Sequence, residues 1–266
     1  LALAATRVHS AAGVLAPGGL VRRPPWRAPH HGTSAVAMVG GGSQRVRPGE
    51  ISLAHGGVLF LDELGEFSAV VLDALRQPLE EGVIRIARAE TRVELPARFL
   101  LIAAMNPCPC GEGVTPAACR CTDRALDRYR RRVSGPLLDR FDLRLDVHRP
   151  DPHALLHGEC SERTAQVAAR VRAVRARSAA RGVTTNALLS GDALEQAAPL
   201  SSGAEQLLER ALETGRLSAR GLRRIWRVAL TIADLAEHEG PLRAEHVASA
   251  FHLRADPGFL LGTGTR

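Results

Sequence analysis

Four short stretches carry the side chains best suited to chemistry. In GGVLFLDELGEF, residues 56–67, four apolar residues from Val58 to Leu61 run directly into Asp62 and Glu63. An apolar run that stops on adjacent acids reads as a buried strand handing carboxylates to the sheet edge where α/β proteins bind ligands. Asp62 is suited to hold the waters around Mg²⁺, a hard cation that prefers oxygen ligands. Glu63 is suited to orient or deprotonate an attacking water. Acids after a strand also simply begin turns or cap helices, so the stretch needs support from elsewhere. FLLIAAMN, residues 99–106, supplies it: a second apolar run ends on Asn106. If the two strands are neighbours, its amide sits beside a γ-phosphate and the attacking water.

Two arginines extend the set. Arg140 lies in GPLLDRFD between Asp139 and Asp142. Presented to the nucleotide of a neighbouring subunit, it would stabilise charge on a transferred phosphoryl group; an intramolecular Arg–Asp pair is the other reading. In LSARGLRRI, Ser218 reads as an N-cap, which places Arg220 in the first helical turn ahead of Gly221. A cation at a helix N-terminus and a poor helix former break two local rules at one point. Function overrides propensity at such points, so Arg220 is expected to face a phosphate. Arg223 and Arg224 read as a solvated or DNA-facing surface.

Cys108, Cys110, Cys119 and Cys121 form C-x-C-x8-C-x-C, and Cys160 stands apart. Four thiols in one short loop favour tetrahedral Zn²⁺ over disulfides in a protein expected to be cytoplasmic. Against that, C-x-C is tighter than the usual C-x2-4-C spacing, so reduced structural thiols and redox chemistry stay open. His30 and His31 are adjacent and far in sequence from any acid. A backbone-anchoring or interface role is expected for them, not metal ligation.

The elements that must position these groups follow from periodicity. Residues 1–16 are Ala/Leu-rich and predict a helix ended by Pro17-Gly18-Gly19. The Gly-, Pro- and Arg-rich stretch 22–50 predicts loops around a short helix. A strand is expected at 57–61, then a helix capped by Ser68, faced by Leu72, Leu75 and Leu79 and ended by Gly82. VIRIA and TRVEL, residues 83–87 and 91–95, alternate as a hairpin with a basic tip. An arginine-rich helix at 124–133 and a third strand at 143–147 follow. Beyond Pro150 the pattern is helical, with helices near 162–181, 190–198, 202–214, 218–238 and 243–254. The expected fold is therefore α/β with a largely parallel buried sheet over 1–150, followed by an all-α domain over 151–266.

Composition narrows the partners. The net charge is +7 and the pI near 10.3, which favours polyanions such as nucleic acid. All 35 basic residues are arginine, a bias that a GC-rich genome also produces, so the charge alone is weak evidence. Aromatic content of 3% argues against a base-stacking platform. No apolar run approaches a membrane span, and no basic-then-apolar leader opens the chain.

In order and spacing, RAPHH, VGGGS, RPGEISLAHGGVLFLDEL, ALRQPLEEG, AAMNPCPCG, SGPLLDRFD and LSARGLRRI resemble the magnesium-chelatase-like AAA+ ATPases, ComM/YifB branch, over essentially the whole chain. The resemblance implies a partial AAA+ P-loop NTPase core followed by a helical lid, with ATP and Mg²⁺ as cofactors. By the same resemblance Asp62 and Glu63 match the Walker B acids, Asn106 sensor 1, Arg140 the arginine finger and Arg220 sensor 2. The 40–48 segment falls where this clade inserts a hairpin. The 83–95 hairpin resembles one that related motors direct into a central pore, making Arg85, Arg88 and Arg92 its DNA-facing candidates. Implied partners are further copies of the chain in a ring, a hexamer in the family, and branched or single-stranded DNA during recombination of incoming DNA. The motor subunit of a magnesium chelatase and a non-catalytic, degenerate module are the alternatives.

One departure bears on activity. A phosphate loop needs a glycine-rich turn followed by Lys-Ser/Thr at a helix start, and the sequence contains no lysine. Gly40-Gly41-Gly42-Ser43 resembles such a loop only superficially. In the family this loop lies upstream of the segment resembling 1–16, and an amino-terminal domain precedes it. The chain opens on Leu1 within a pattern, so a fragment is expected, with weak ATP binding and negligible hydrolysis alone.

Overall fold

The computed structural model describes residues 1–42, 45–87, 92–112, 119–147, 151–158 and 162–254. They divide into two compact units, one from Leu1 to Arg140 and one beginning at Phe141. The first holds strands β1 (Trp26–Arg27), β2 (Gly40–Gly41), β3 (Arg47–Pro48), β4 (Val58–Leu61), β5 (Val83–Ala87), β6 (Arg92–Pro96) and β7 (Leu100–Ala103). Its helices are α1 (Ala2–Ala12), α2 (Ala35–Val39), α3 (Glu50–Leu53), α4 (Ala69–Ala74), α5 (Arg76–Glu81), α6 (Asp123–Arg130) and α7 (Gly135–Leu138).

Strands β1, β4 and β7 form a parallel sheet with β4 in the middle, Trp26 level with Val58 and Val58 level with Leu100. The expected α/β class and parallel sheet are thus present. Gly57 makes the β1–β4 approach possible, because a Cβ there would lie 1.9 Å from the Pro25 carbonyl oxygen. On one face of β4, Leu59 and Leu61 are fully buried, and Met38, Ile51, Phe67, Leu72 and Leu75 are buried in the same unit. At the outer end of β1, Arg27 grips Glu50 at the start of α3 with two hydrogen bonds of 2.6 and 2.7 Å. This paired, charge-assisted geometry ties the strand to the helix that follows.

The opposite face corrects the expectation of a buried sheet. Parallel partners share a face, so Trp26, Phe60, Leu100 and Ile102 lie together, and Leu100 and Ile102 are 60% and 39% exposed. An apolar run has the same sequence pattern whether one face or both are covered. The short strand β1 was not expected inside the Pro- and Arg-rich stretch. The hairpins were: β2 pairs with β3, and β5 with β6, both antiparallel.

Caps set several helix bounds. The Ser68 hydroxyl accepts the Val71 N–H, and Gly82, at φ 71°, closes α5. Helix α1 ends earlier than expected, at Gly13 with φ 75°, where the left-handed conformation terminates the turn before Pro17 is reached. Among the described residues, no helix is long and apolar enough to cross a membrane.

The second unit comprises α8 (Pro152–His157), α9 (Thr164–Ala180), α10 (Gly191–Ala197), α11 (Ser202–Glu213), α12 (Ala219–Leu235) and α13 (Ala244–His252), with a 3₁₀ turn at Asn186–Leu188. Its core joins Leu194, Leu208, Ile225, Ala229, Leu242 and Val247. The strand expected at 143–147 is not formed. The Arg144 N–H bonds to the Leu253 carbonyl at the end of α13, not to a sheet neighbour, and Val147 is 90% exposed. Alternation specifies a strand only where another strand offers its edge.

A buried histidine gives the first unit a pH dependence. The His55 Nδ1 accepts the Arg98 N–H at 3.1 Å, which requires a ring nitrogen without its proton. Burial, then the nearby Arg98 charge, push the His55 pKa below the ordinary histidine value. Above that ordinary value both folded and unfolded states carry a neutral ring. Below it the unfolded chain binds the proton first, so stability falls as pH drops towards the depressed folded value. Thermal unfolding between about pH 7 and about pH 5 is expected to show a smaller acid loss in His55→Asn than in the parent. An equal loss in both would remove His55 as a cause.

Candidate functional site

The parallel register of β4 and β7 brings the two sequence-predicted strand ends together. Leu61 is level with Ala103; the Ala104 N–H then bonds to the Leu61 carbonyl at 2.9 Å, and the Leu64 N–H to the Ala104 carbonyl at 2.8 Å. Asp62 and Glu63 therefore leave β4 at the same sheet edge from which the β7 chain proceeds to Asn106. All three side chains are exposed. Exposed carboxylates and an amide offer hard oxygen donors of the kind Mg²⁺ and water take.

Glu63 is held unusually. Its φ is 52°, in the left-handed region that non-glycine residues avoid at a cost on the order of 1–2 kcal/mol. Two contacts hold that turn: the Asp62 Oδ1 accepts the Glu63 N–H at 2.9 Å, and the His31 Nδ1 lies 2.8 Å from the Glu63 Oε2. Strained non-glycine turns of this sort cluster at functional sites. Sequence reasoning missed His31 because no acid is near it along the chain. It follows β1, the strand beside β4, and that nonlocal pairing carries it to Glu63. The His30 and His31 rings are tilted against each other, with centroids 4.0 Å apart.

Helix α6 braces the same edge from behind. The Tyr129 hydroxyl donates to the Asn106 carbonyl at 3.0 Å, and Arg132 donates to the Gly65 carbonyl at 2.6 Å and to Glu66 at 2.8 Å. Gly65 is required there, since a Cβ would fall 2.2 Å from the Tyr129 ring. Burial, then nearby Glu66, push the Tyr129 phenol up to about 12. It therefore stays a neutral donor at physiological pH.

The arginines are placed as follows. The Arg140 guanidinium donates to the Arg76 carbonyl at 3.1 Å, to the Pro136 carbonyl at 2.5 Å and to Glu80, and its side chain is 13% exposed. The flanking Asp142 pairs at 2.8 Å with Arg224, within the second unit. Arg220 is exposed in the first turn of α12, behind the Ser218 cap, whose hydroxyl accepts the Gly221 N–H. Gly221 has a packing role: a Cβ would approach Leu217 Cδ1 to 2.8 Å. On the β5–β6 hairpin, Arg85 is paired with Glu81 and with Glu94, while Arg92 is exposed. Arg88 lies outside the described residues, as does Cys160.

The four loop cysteines converge. Cys108, Cys110, Cys119 and Cys121 are all free thiols, and their sulfurs lie within 4.8 Å of one another. Backbone N–H groups of Arg120 and Glu112 draw the Cys110 thiol down to about 6, whereas burial pushes Cys108 up to about 12.

Comparison with known proteins matches the chain in two stretches. Residues 2–155 match the family profile described as magnesium chelatase, subunit ChlI, and residues 161–254 match magnesium chelatase, subunit ChlI C-terminal. An uncharacterized protein of Mycobacterium tuberculosis is 46% identical over 257 residues, covering 95% of this chain and 50% of that protein. The competence protein ComM of Haemophilus influenzae is 46% identical over 232 residues, 87% of this chain and 45% of its own length. The uncharacterized protein YifB of Escherichia coli is 45% identical over 238 residues, 88% and 46% respectively. The chain spans about half the length of the curated relatives it matches.

Proposed function

The chain belongs to the magnesium chelatase subunit ChlI family, and from that membership we propose that it forms the Walker B-to-lid portion of a ComM-like, Mg²⁺-dependent AAA+ ATPase acting on DNA. The observation that carries the reading is the β4–β7 register, which brings two exposed carboxylates and the chain leading to Asn106 to one sheet edge. In this reading Asp62 holds the waters around Mg²⁺, Glu63 accepts the proton of the attacking water, and the Asn106 amide orients it. Mg²⁺ itself would neutralise charge on the phosphates. The residues present fit the metal and water side of such a site. The phosphate-binding lysine is not among them, because the chain has no lysine.

Arg140 and Arg220 complete the proposed charge stabilisation. Arg140 acts as a finger across a subunit boundary in a homo-oligomeric ring, and its Glu80 pair is the contact it must exchange for phosphate. Arg220 acts from the first turn of α12. On the hairpin, Arg92 is the cation offered to DNA, while Arg85 is engaged with two glutamates.

The test uses a polypeptide of the relatives' full length that contains these residues. ATP hydrolysis stimulated by forked DNA supports the proposal. Stimulation by magnesium-chelatase partner subunits and not by DNA would move the assignment to chelatase motors. No hydrolysis under any condition would favour a non-catalytic module. Arg92→Ala is expected to weaken DNA binding almost evenly across sequences and to reduce the slope of log affinity against log salt by about 1 per site. An unchanged slope would take Arg92 off the DNA.

A further inference from the structure

The geometry points to a tetrathiolate zinc site formed by Cys108, Cys110, Cys119 and Cys121, which staples the segment carrying Asn106 to helix α6. A zinc ion with four sulfur ligands at about 2.3 Å has sulfur–sulfur edges of about 3.8 Å. The sulfurs of Cys110 and Cys119 lie 3.9 Å apart, those of Cys119 and Cys108 3.8 Å, and those of Cys108 and Cys110 3.2 Å. Two edges already match a tetrahedron, and the third needs only a small opening. All four sulfurs lie within 4.8 Å of one another, so the widest pair must close by about 1 Å to share one ion. A multi-iron cluster would hold its thiolates further apart, and a disulfide would need a sulfur–sulfur distance near 2.05 Å.

The surroundings suit a closed structural site. Cys108 is buried, so one ligand comes from inside the fold, and backbone N–H groups of Arg120 and Glu112 reach the Cys110 sulfur. Hydrogen bonds of this kind orient and stabilise metal-bound thiolates. Four protein ligands leave no open coordination position, which assigns the ion to structure and not to catalysis.

The position of the loop gives the site its purpose. The loop departs just after Asn106 and returns at Thr122, whose hydroxyl caps α6 by accepting the Ala125 N–H. One metal therefore joins the residue two past Asn106 to the residue that precedes the helix cap. Held in this way, α6 presents Tyr129 to the Asn106 carbonyl and supports the Arg132 contact with Gly65. Tyr129 and the four cysteines are positioning residues: they act on Asn106 through its backbone. The zinc assignment is independent of the nucleotide reading. Only its consequence for Asn106 rests on that reading.

The experiment uses this chain, purified without chelators. Elemental analysis is expected to find about one zinc per chain, and Co²⁺ exchanged into the site should give the intense visible bands of a tetrahedral thiolate complex. Cys110→Ser and Cys119→Ser should each lose the metal. Hydrogen exchange then tests the staple in the parent protein. Stripping zinc with a chelator should raise exchange across Asp123–Arg130, and adding zinc back should restore protection. This reversibility separates loss of the staple from irreversible unfolding of a variant. Zinc well below stoichiometry, or iron in its place, would overturn the site. Stoichiometric zinc with unchanged α6 exchange would overturn the staple. Either failure would leave the ATPase test standing.

Discussion

Glu63→Gln, introduced into a polypeptide of the relatives' full length, is expected to slow ATP turnover by roughly 10²–10⁴-fold while leaving nucleotide binding nearly unchanged. Glutamine keeps the size of the side chain, so the substitution isolates the chemistry of one oxygen. The left-handed turn at φ 52° survives because the Asp62 carboxylate still accepts the residue-63 N–H. His31 also keeps a polar partner at residue 63. What disappears is the capacity to take a proton from water. Single-turnover hydrolysis is the appropriate measurement, since it separates chemistry from product release. A fall in turnover with intact binding would identify Glu63 as the group acting on the attacking water. Turnover at the parental rate would remove Glu63 from that role and, with it, the mechanistic reading of the β4 edge. Asp62→Asn should instead raise the Mg²⁺ concentration needed for activity, because it removes charge from the group proposed to hold the hydrated ion.

The contrast between these acids and His31 shows what local sequence could reveal. Val58–Leu61 and Leu100–Ala103 were legible as strands because each is a short apolar run bounded by turn residues. Ser68 and Gly82 marked helix ends by side-chain and backbone chemistry acting within a few residues. The helical second half was legible from repeated amphipathic faces. Contacts made across the fold were not. Trp26–Arg27 is two residues long and exists as a strand only because β4 lies beside it. His31 meets Glu63 for the same reason. Arg85 read as a free hairpin cation, yet it points into Glu81 and Glu94. Residues 143–147 alternate as a strand should, but the backbone of Arg144 is committed to the end of α13. Periodicity reports which face a residue prefers; it does not report whether a neighbour arrives.

Loss of Asp234 is expected to destabilise the second unit by about 3–5 kcal/mol, through a network equally invisible along the chain. Its carboxylate, 1% exposed, receives two bonds from Arg181 at 2.5 and 2.7 Å and one from the Asn186 amide at 2.8 Å. Asn186 in turn accepts from Ser178 at 3.0 Å and donates to Thr231 at 3.2 Å. Three segments are thereby locked together: the end of α9, the 3₁₀ turn and the last part of α12. Asp234→Ala removes the acceptor of two Arg181 bonds and one Asn186 bond in a poorly hydrated site, which costs more than the pair contributes when intact. The double replacement Arg181→Met with Asp234→Leu removes both charges and should recover most of the loss. Denaturant midpoints for the parent, the single variant and the double variant decide the matter. The same helix carries Arg220 in its first turn, so a loosened α12 would also disorder the residue proposed to face phosphate. If Asp234→Ala unfolds at the parental midpoint, the network is ornamental, and the placement of Arg220 must depend on the apolar contacts of Ile225, Ala229 and Val247 alone.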